Sequence, residues 1–191
     1  MAENCNEIPL ENIEFCPSDE VNAGVSEVGV YAASVSELST IEKPADLDAG
    51  ADLESVATIA AAHTFKDATN GGFHKLQINP DSGMIETAQL GEKGNLSFQN
   101  SFTFALRGTA AKVAGYARKY KNEPMIYVVK EKNGDIKQIG SETSPAYMVE
   151  LAAGSGQAPG DPKQSQFIIR DSQNYPAPAY AGTITEFTPA V

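Results

Sequence analysis

The stretch SFQNSFTFALRGTAAKVAGYARKYKNEPMIYVVKEKNGDIKQIG, residues 97–140, decides the fold. It reads as strand, helix, strand, tight turn, strand. Residues 97–106 bring Phe98, Phe102, Phe104 and Leu106 to one face, with a kink expected near Asn100. Gly108 breaks that strand, and Thr109 is the expected N-cap of a helix over about 109–121. On the helix Ala110, Val113, Ala117 and Tyr120 fall at helical spacing. Lys112, Arg118, Lys119 and Lys121 take the other side, the last three near the C-terminus, where cations suit the helix dipole. Asn122 and Pro124 stop it. Residues 125–130, MIYVVK, are β-branched and apolar enough for a central strand. Asn133-Gly134 is the strongest hairpin signal in the chain.

Outward from this block the texture is short strands and turns. Residues 146–152 and 164–171 read as partner strands joined by the Gly- and Pro-rich loop 154–163. Residues 175–181 read as a proline-bearing edge, and 182–187 as a last strand. On the N-terminal side, residues 73–78 and 84–90 alternate around the turn Pro80-Asp81-Ser82-Gly83. Residues 21–38 look strand-like, and 40–57 form an extended loop of a length that is usually functional. Residues 1–20 hold only isolated apolar anchors (Ile8, Leu10, Ile13, Phe15) among Glu and Asn. The expected fold class is mainly β, a β-sandwich or barrel with one flanking α-helix and an extended acidic N-terminal arm. A single domain is expected, with residues 1–62 as acidic arm and loop partly packed on a body formed by 63–191.

Charge divides the chain the same way. Residues 1–62 contain 13 Asp or Glu and one Lys, a net of −12, while 63–191 contain 12 acidic and 13 basic residues, a net of +1. The total of −11 therefore resides in the first third, which argues against nucleic-acid binding by charge attraction. It suits a surface that must not hold DNA, or a soluble arm extended by self-repulsion. No run of about 18 apolar residues is present, so no membrane span is expected. The opening MAENCNEIPLENIEF lacks the basic patch and apolar core of a signal peptide, so cytoplasmic synthesis is expected. Cys5 and Cys16, without a CxxC or a nearby His, read as free thiols rather than as a zinc site.

A search for chemistry finds no site. Gly154, Gly156 and Gly160 resemble a phosphate loop only in composition, because a strand follows where a helix N-terminus is needed. Asp46, Asp48, Asp52 and Glu54 surround Gly50, but the glycine falls out of step with a calcium loop, so a solvated acidic loop is the reading. His63 and His74 belong to no nucleophile triad and no HExxH helix. The basic helix face with Tyr116 and Tyr120 could mimic a nucleic-acid patch, but the commoner arrangement is a polar outer face over packed tyrosines. Asn95-Leu-Ser97 fits the glycosylation triplet by chance. No catalytic residue, cofactor or metal is expected. A β-body without catalytic groups, with an arm and long loops, is what a self-assembling structural subunit needs.

Four segments point further: GVSEVGVYAA (24–33), SFTFALRGT (101–109), MIYVVKEKNGDIKQIG (125–140) and YPAPAYAGTI (175–184). With them the run from Gly24 to Phe187 resembles virion structural proteins of tailed phages of Bacteroidetes-type bacteria, most of all a major tail tube subunit. The order strand–helix–hairpin is also similar to tubes of long-tailed phages and to the ring protein of type VI secretion. The resemblance implies six copies in a ring, an inner β-barrel continuous across copies, and stacked rings in the virion. It implies partners among other tail or neck proteins and transient, non-specific passage of DNA. A DNA conduit should be weakly repulsive, because each phosphate contact adds affinity. Asp67, Asp81, Glu86, Glu131, Asp135 and Glu142 are the candidate lumen carboxylates. Still open are another virion part (head–tail connector, terminator ring or capsid decoration protein) and a surface- or carbohydrate-binding module, which the absence of Trp disfavours. An enzyme is the remaining competitor, and no site supports it.

Overall fold

The computed structural model describes residues 8, 11–14, 21–48 and 52–189. The anchors Leu10 and Phe15, Gly50, and both cysteines lie outside the described residues. In chain order the elements are β1 (Val25–Ser34), β2 (Leu38–Thr40), β3 (Thr58–Ile59), β4 (Thr64–Phe65), β5 (His74–Leu76), β6 (Met84–Glu92) and β7 (Asn95–Arg107), then α1 (Ala111–Tyr120), β8 (Met125–Glu131), β9 (Ile136–Ile139), β10 (Tyr147–Gly154), β11 (Gln164–Gln173) and β12 (Ala179–Tyr180). A six-stranded sheet of order β3-β12-β9-β8-β1-β5 packs on a four-stranded sheet of order β10-β11-β7-β6, and β2 pairs with β4. The molecule is mainly β, a sandwich with one flanking helix.

The MIYVV run explains the layering. Every residue of Met125–Val129 is buried, so β8 has apolar neighbours on both faces. Met125, Tyr127 and Val129 meet Phe102 and Phe104 of β7 and Phe167 and Ile169 of β11 between the sheets. Ile126 and Val128 face the other way, against Phe73, Ile59, Leu38 and Tyr180. The sandwich core contains a ladder of rings, Phe102 on Phe104 at 4.9 Å and Phe104 on Phe167 at 5.3 Å between centroids. The Asn133-Gly134 turn joins β8 to β9 as expected, with Gly134 at φ +103°, a conformation that favours glycine.

Several expectations are corrected. β7 pairs with β11 without a register break from Phe98 to Arg107, so no kink occurs at Asn100. Asn100 takes its turn on the inward face with Phe102, Phe104 and Leu106 and is wholly buried there. Helix α1 is capped at Ala110, which is extended (ψ 159°) and makes no side-chain bond, so Thr109 is not the N-cap. Its inner side is Val113, Tyr116, Ala117 and Tyr120. The Tyr116 hydroxyl lies 2.9 Å from that of Tyr127, whose pKa burial pushes up to about 12. The proline-bearing segment is no edge, because β12 lies between β9 and β3. Residues 182–187 form no strand beyond a bridge of Glu186 to Phe73. Within the first 62 residues, β1 lies between β8 and β5 in the six-stranded sheet.

The ring ladder gives a direct stability test. Phe104→Ala should lower the unfolding free energy by about 3–5 kcal/mol, read from urea midpoints, because the surrounding aromatics cannot close the cavity.

Candidate functional site

The sheets end differently at their edges. The six-stranded sheet ends in β3 and β5, of two and three residues, short enough to discourage pairing with another chain. The four-stranded sheet ends in β6 and β10, of nine and eight residues, and neither holds a Lys or a Pro. Nearly every residue of both is exposed. Large apolar side chains lie open there: Met84 and Leu90 on β6, Leu96 near the start of β7, and Tyr147, Val149 and Leu151 on β10. Only a register shift in β10 between Met148 and Glu150 interrupts an otherwise regular edge.

Register also defines the outward face of this sheet. Phe102, Phe104, Phe167 and Ile169 point inward, so the alternate residues point out. One row across the sheet is Tyr147, Arg170, Ser101 and Glu86, each opposite the next. Neighbouring positions are Gln99 with Ser172 and Ala88, Thr103 with Ile168 and Met84, and Ser97 with Leu90. Hydroxyls and amides dominate the two inner strands of this face, with Arg170 and Arg107 for cations and Glu86 and Glu92 on β6 for anions.

The six candidate carboxylates do not come together. Glu86 alone stands on the outward face of the four-stranded sheet. Asp67 follows β4 in a turn and accepts the backbone N–H of Thr69 at 2.9 Å and of Asn70 at 3.1 Å, which hold it below the usual carboxylate range. Asp81 lies in the turn before β6, at φ +54°, and ion-pairs with Lys132. Glu131 ends β8, Asp135 accepts from the Asn133 side chain in the hairpin turn at 2.7 Å, and Glu142 follows β9. Glu92, at the far end of β6, shares a strand and a face with Glu86 and is absent from the six. The alternation of residues 84–90, extended by one repeat, could have found it.

Two buried polar nodes fix the sheets that frame this surface. In the sandwich, Asn100 donates to Asp171 at 2.9 Å and accepts from the Thr87 hydroxyl at 2.8 Å. Asp171 also accepts from the Gly140 backbone and the Gln173 amide, yet burial keeps its carboxyl above the ordinary carboxylate value. The close crossing there requires glycine: a Cβ on Gly140, at φ +94°, would come within 2.7 Å of the Met125 carbonyl. On the other face of the six-stranded sheet, His63 Nδ1 accepts the Glu42 backbone N–H at 2.9 Å. Its Nε2 must then bear the proton donated to Gln138 Oε1, 2.7 Å away. The ring stacks on Tyr180, and burial lowers its pKa below the ordinary histidine value.

Among the described residues no three His, Cys, Asp or Glu side chains are grouped to hold a metal, and no helix is long and apolar enough to cross a membrane. No family model, curated protein or solved structure matches the chain.

His63 makes stability depend on pH. With its pKa lowered in the fold, the unfolded chain binds its proton more readily, so this contribution is intact above about pH 6.5 and is lost as pH falls below it. Asp171, raised in the fold, acts in the opposite sense and at lower pH, because the native state holds that proton more tightly. Urea midpoints of the wild type should therefore fall from about pH 7 to about pH 5, and those of His63→Gln should fall less, from a lower starting value.

Proposed function

We propose that the chain is the structural subunit of a phage tail tube, assembling with copies of itself into stacked rings around a channel for DNA. The observation that carries the reading is the pair of long edges on one sheet, β6 and β10, free of Lys and Pro and with apolar side chains exposed along both. Such edges are templates for another strand, and soluble proteins ordinarily suppress them. The four strands alternate in direction, so β6 and β10 run oppositely. Copies related by rotation about one axis then bring β6 of one beside β10 of the next in antiparallel pairing. The contact is heterologous and closes when the rotation closes. Four strands from each of six copies, the number the phage resemblance suggests, give a barrel roughly 50 Å across its backbone at ~4.8 Å strand spacing and ~40° tilt. A duplex fits inside that width.

The face left for the lumen is the outward one, with Ser97, Gln99, Ser101, Thr103, Gln166 and Ser172 on its inner strands. Neutral hydroxyls and amides offer phosphates little reason to stay, and Glu86 and Glu92 add mild repulsion. The repulsion is thus assigned to two carboxylates on one strand rather than to the six candidates of the sequence. No step in this function breaks or makes a covalent bond.

Negative-stain microscopy of the purified full chain should show tubes with a central hole. Leu90→Lys with Leu96→Lys, both at exposed positions, should leave a folded monomer by circular dichroism and sedimentation and abolish the tubes. Single rings would instead favour a connector or terminator ring, and monomers of the wild type at every concentration would reject self-assembly. In assembled particles, Glu86→Lys with Glu92→Lys should preserve tubes and slow genome ejection; unchanged ejection would reject the lumen assignment.

A further inference from the structure

Strand β10 overhangs the sandwich. Its inward side chains Met148 and Leu151, with Phe167 of β11, are roofed only in part by Val113, Ala114 and Ala117 of α1, leaving an apolar groove of about 510 Å³. Leu151 is 45% exposed, so the cover is incomplete. Arg118 and Lys121 on the helix side and Glu150 on the β10 side form the charged part of the rim, and from Arg107 to Asn122 the sequence holds five cations and no carboxylate. The groove thus presents an apolar floor under a cationic helix.

We infer that the groove receives the acidic segment around residues 11–21, ENIEFCPSDEV, from a second copy of this chain. Its chemistry matches on both counts: four apolar or aromatic side chains (Ile13, Phe15, Pro17, Val21) lie among four carboxylates, with no Lys or Arg. At the two described apolar positions of the segment, Ile13 is 79% and Val21 83% exposed on its own body. Its first residue is also anchored away from its own groove. Glu11 Oε1 accepts the Leu53 backbone N–H at 3.3 Å, close to β3, at one end of the six-stranded sheet. Helix α1 stands by the opposite end, where Lys112, Val113 and Tyr116 share a cleft with Lys75 and Leu76 of β5. Five strand spacings, about 24 Å, separate the two ends. In the neighbouring copy of a ring or of a stacked ring, the segment gains an apolar bed and Glu14, Asp19 or Glu20 gain the Arg118 and Lys121 cations.

The inference rests on self-association as proposed above, though not on strand pairing, and one experiment separates the two. Full-length chains are prepared as two tagged populations, one Cys5→Ser with native Cys16, the other Cys5→Ser, Cys16→Ser and Ala114→Cys, then mixed and oxidised mildly under assembling conditions. A disulfide joining the two tags is expected, and its yield should fall about tenfold with Arg118→Glu plus Lys121→Glu. Assembled particles without that bond would overturn this inference and leave the ring reading standing. Cross-linked pairs without rings would support the groove contact while rejecting the ring. In a single chain with both thiols, a bond formed only within the monomer would overturn it by seating the chain's own segment in the groove.

Discussion

The fold depends on one strand being buried from both sides. β8 has no solvent-facing residue between Met125 and Val129, so the six-stranded sheet cannot exist as one half of a simple two-layer sandwich. One face needs the four-stranded sheet. The other needs the segments that carry Leu38, Ile59, Phe73 and Tyr180. This explains why so much of the first 62 residues and of the C-terminal segment, though poor in regular structure, is held in place. These segments cover apolar surface that a bare sheet would leave in water.

The four-stranded sheet has the opposite character. Its inner strands β7 and β11 are paired along their whole length and packed on the core, while its outer strands have little beneath them. A sheet packed on one face and left open at both edges presents surface to which another strand can add. In the proposed tube, the polar face of Gln, Ser and Thr would border water in the channel without holding a polyanion.

Much of this was legible locally. The hairpin turn, the central MIYVV strand, the helix and the alternating strands at 84–90 and 164–171 follow from period and turn chemistry alone, because each signal and its consequence lie within a few residues. What was missed required partners distant in sequence. Asn100 looked like an interruption because its partner Asp171 is 71 residues away, and a buried amide is indistinguishable from an exposed one until that carboxylate is placed. β12 looked like an edge because its prolines, Pro176 and Pro178, precede the two residues that actually pair. The candidate surface was legible only in part. Glu86 follows from alternation, but five other carboxylates near strands proved to sit in turns, at a strand's end or in a loop. That β6 and β10 are the outermost strands depends on an order, 10-11-7-6, that no local pattern encodes.

The Asn100–Asp171 contact has a consequence for any larger body built from this sheet. Sliding β7 along β11 by two residues would keep every phenylalanine inside, so hydrophobicity alone does not choose between the two alignments. The amide and carboxylate do choose, since a slip would part Asn100 from Asp171 and cost both a buried hydrogen bond. They thereby set how far one outer strand stands above the other along the strand direction. In a closed ring that stagger, repeated from copy to copy, determines the pitch at which the wall winds around its axis.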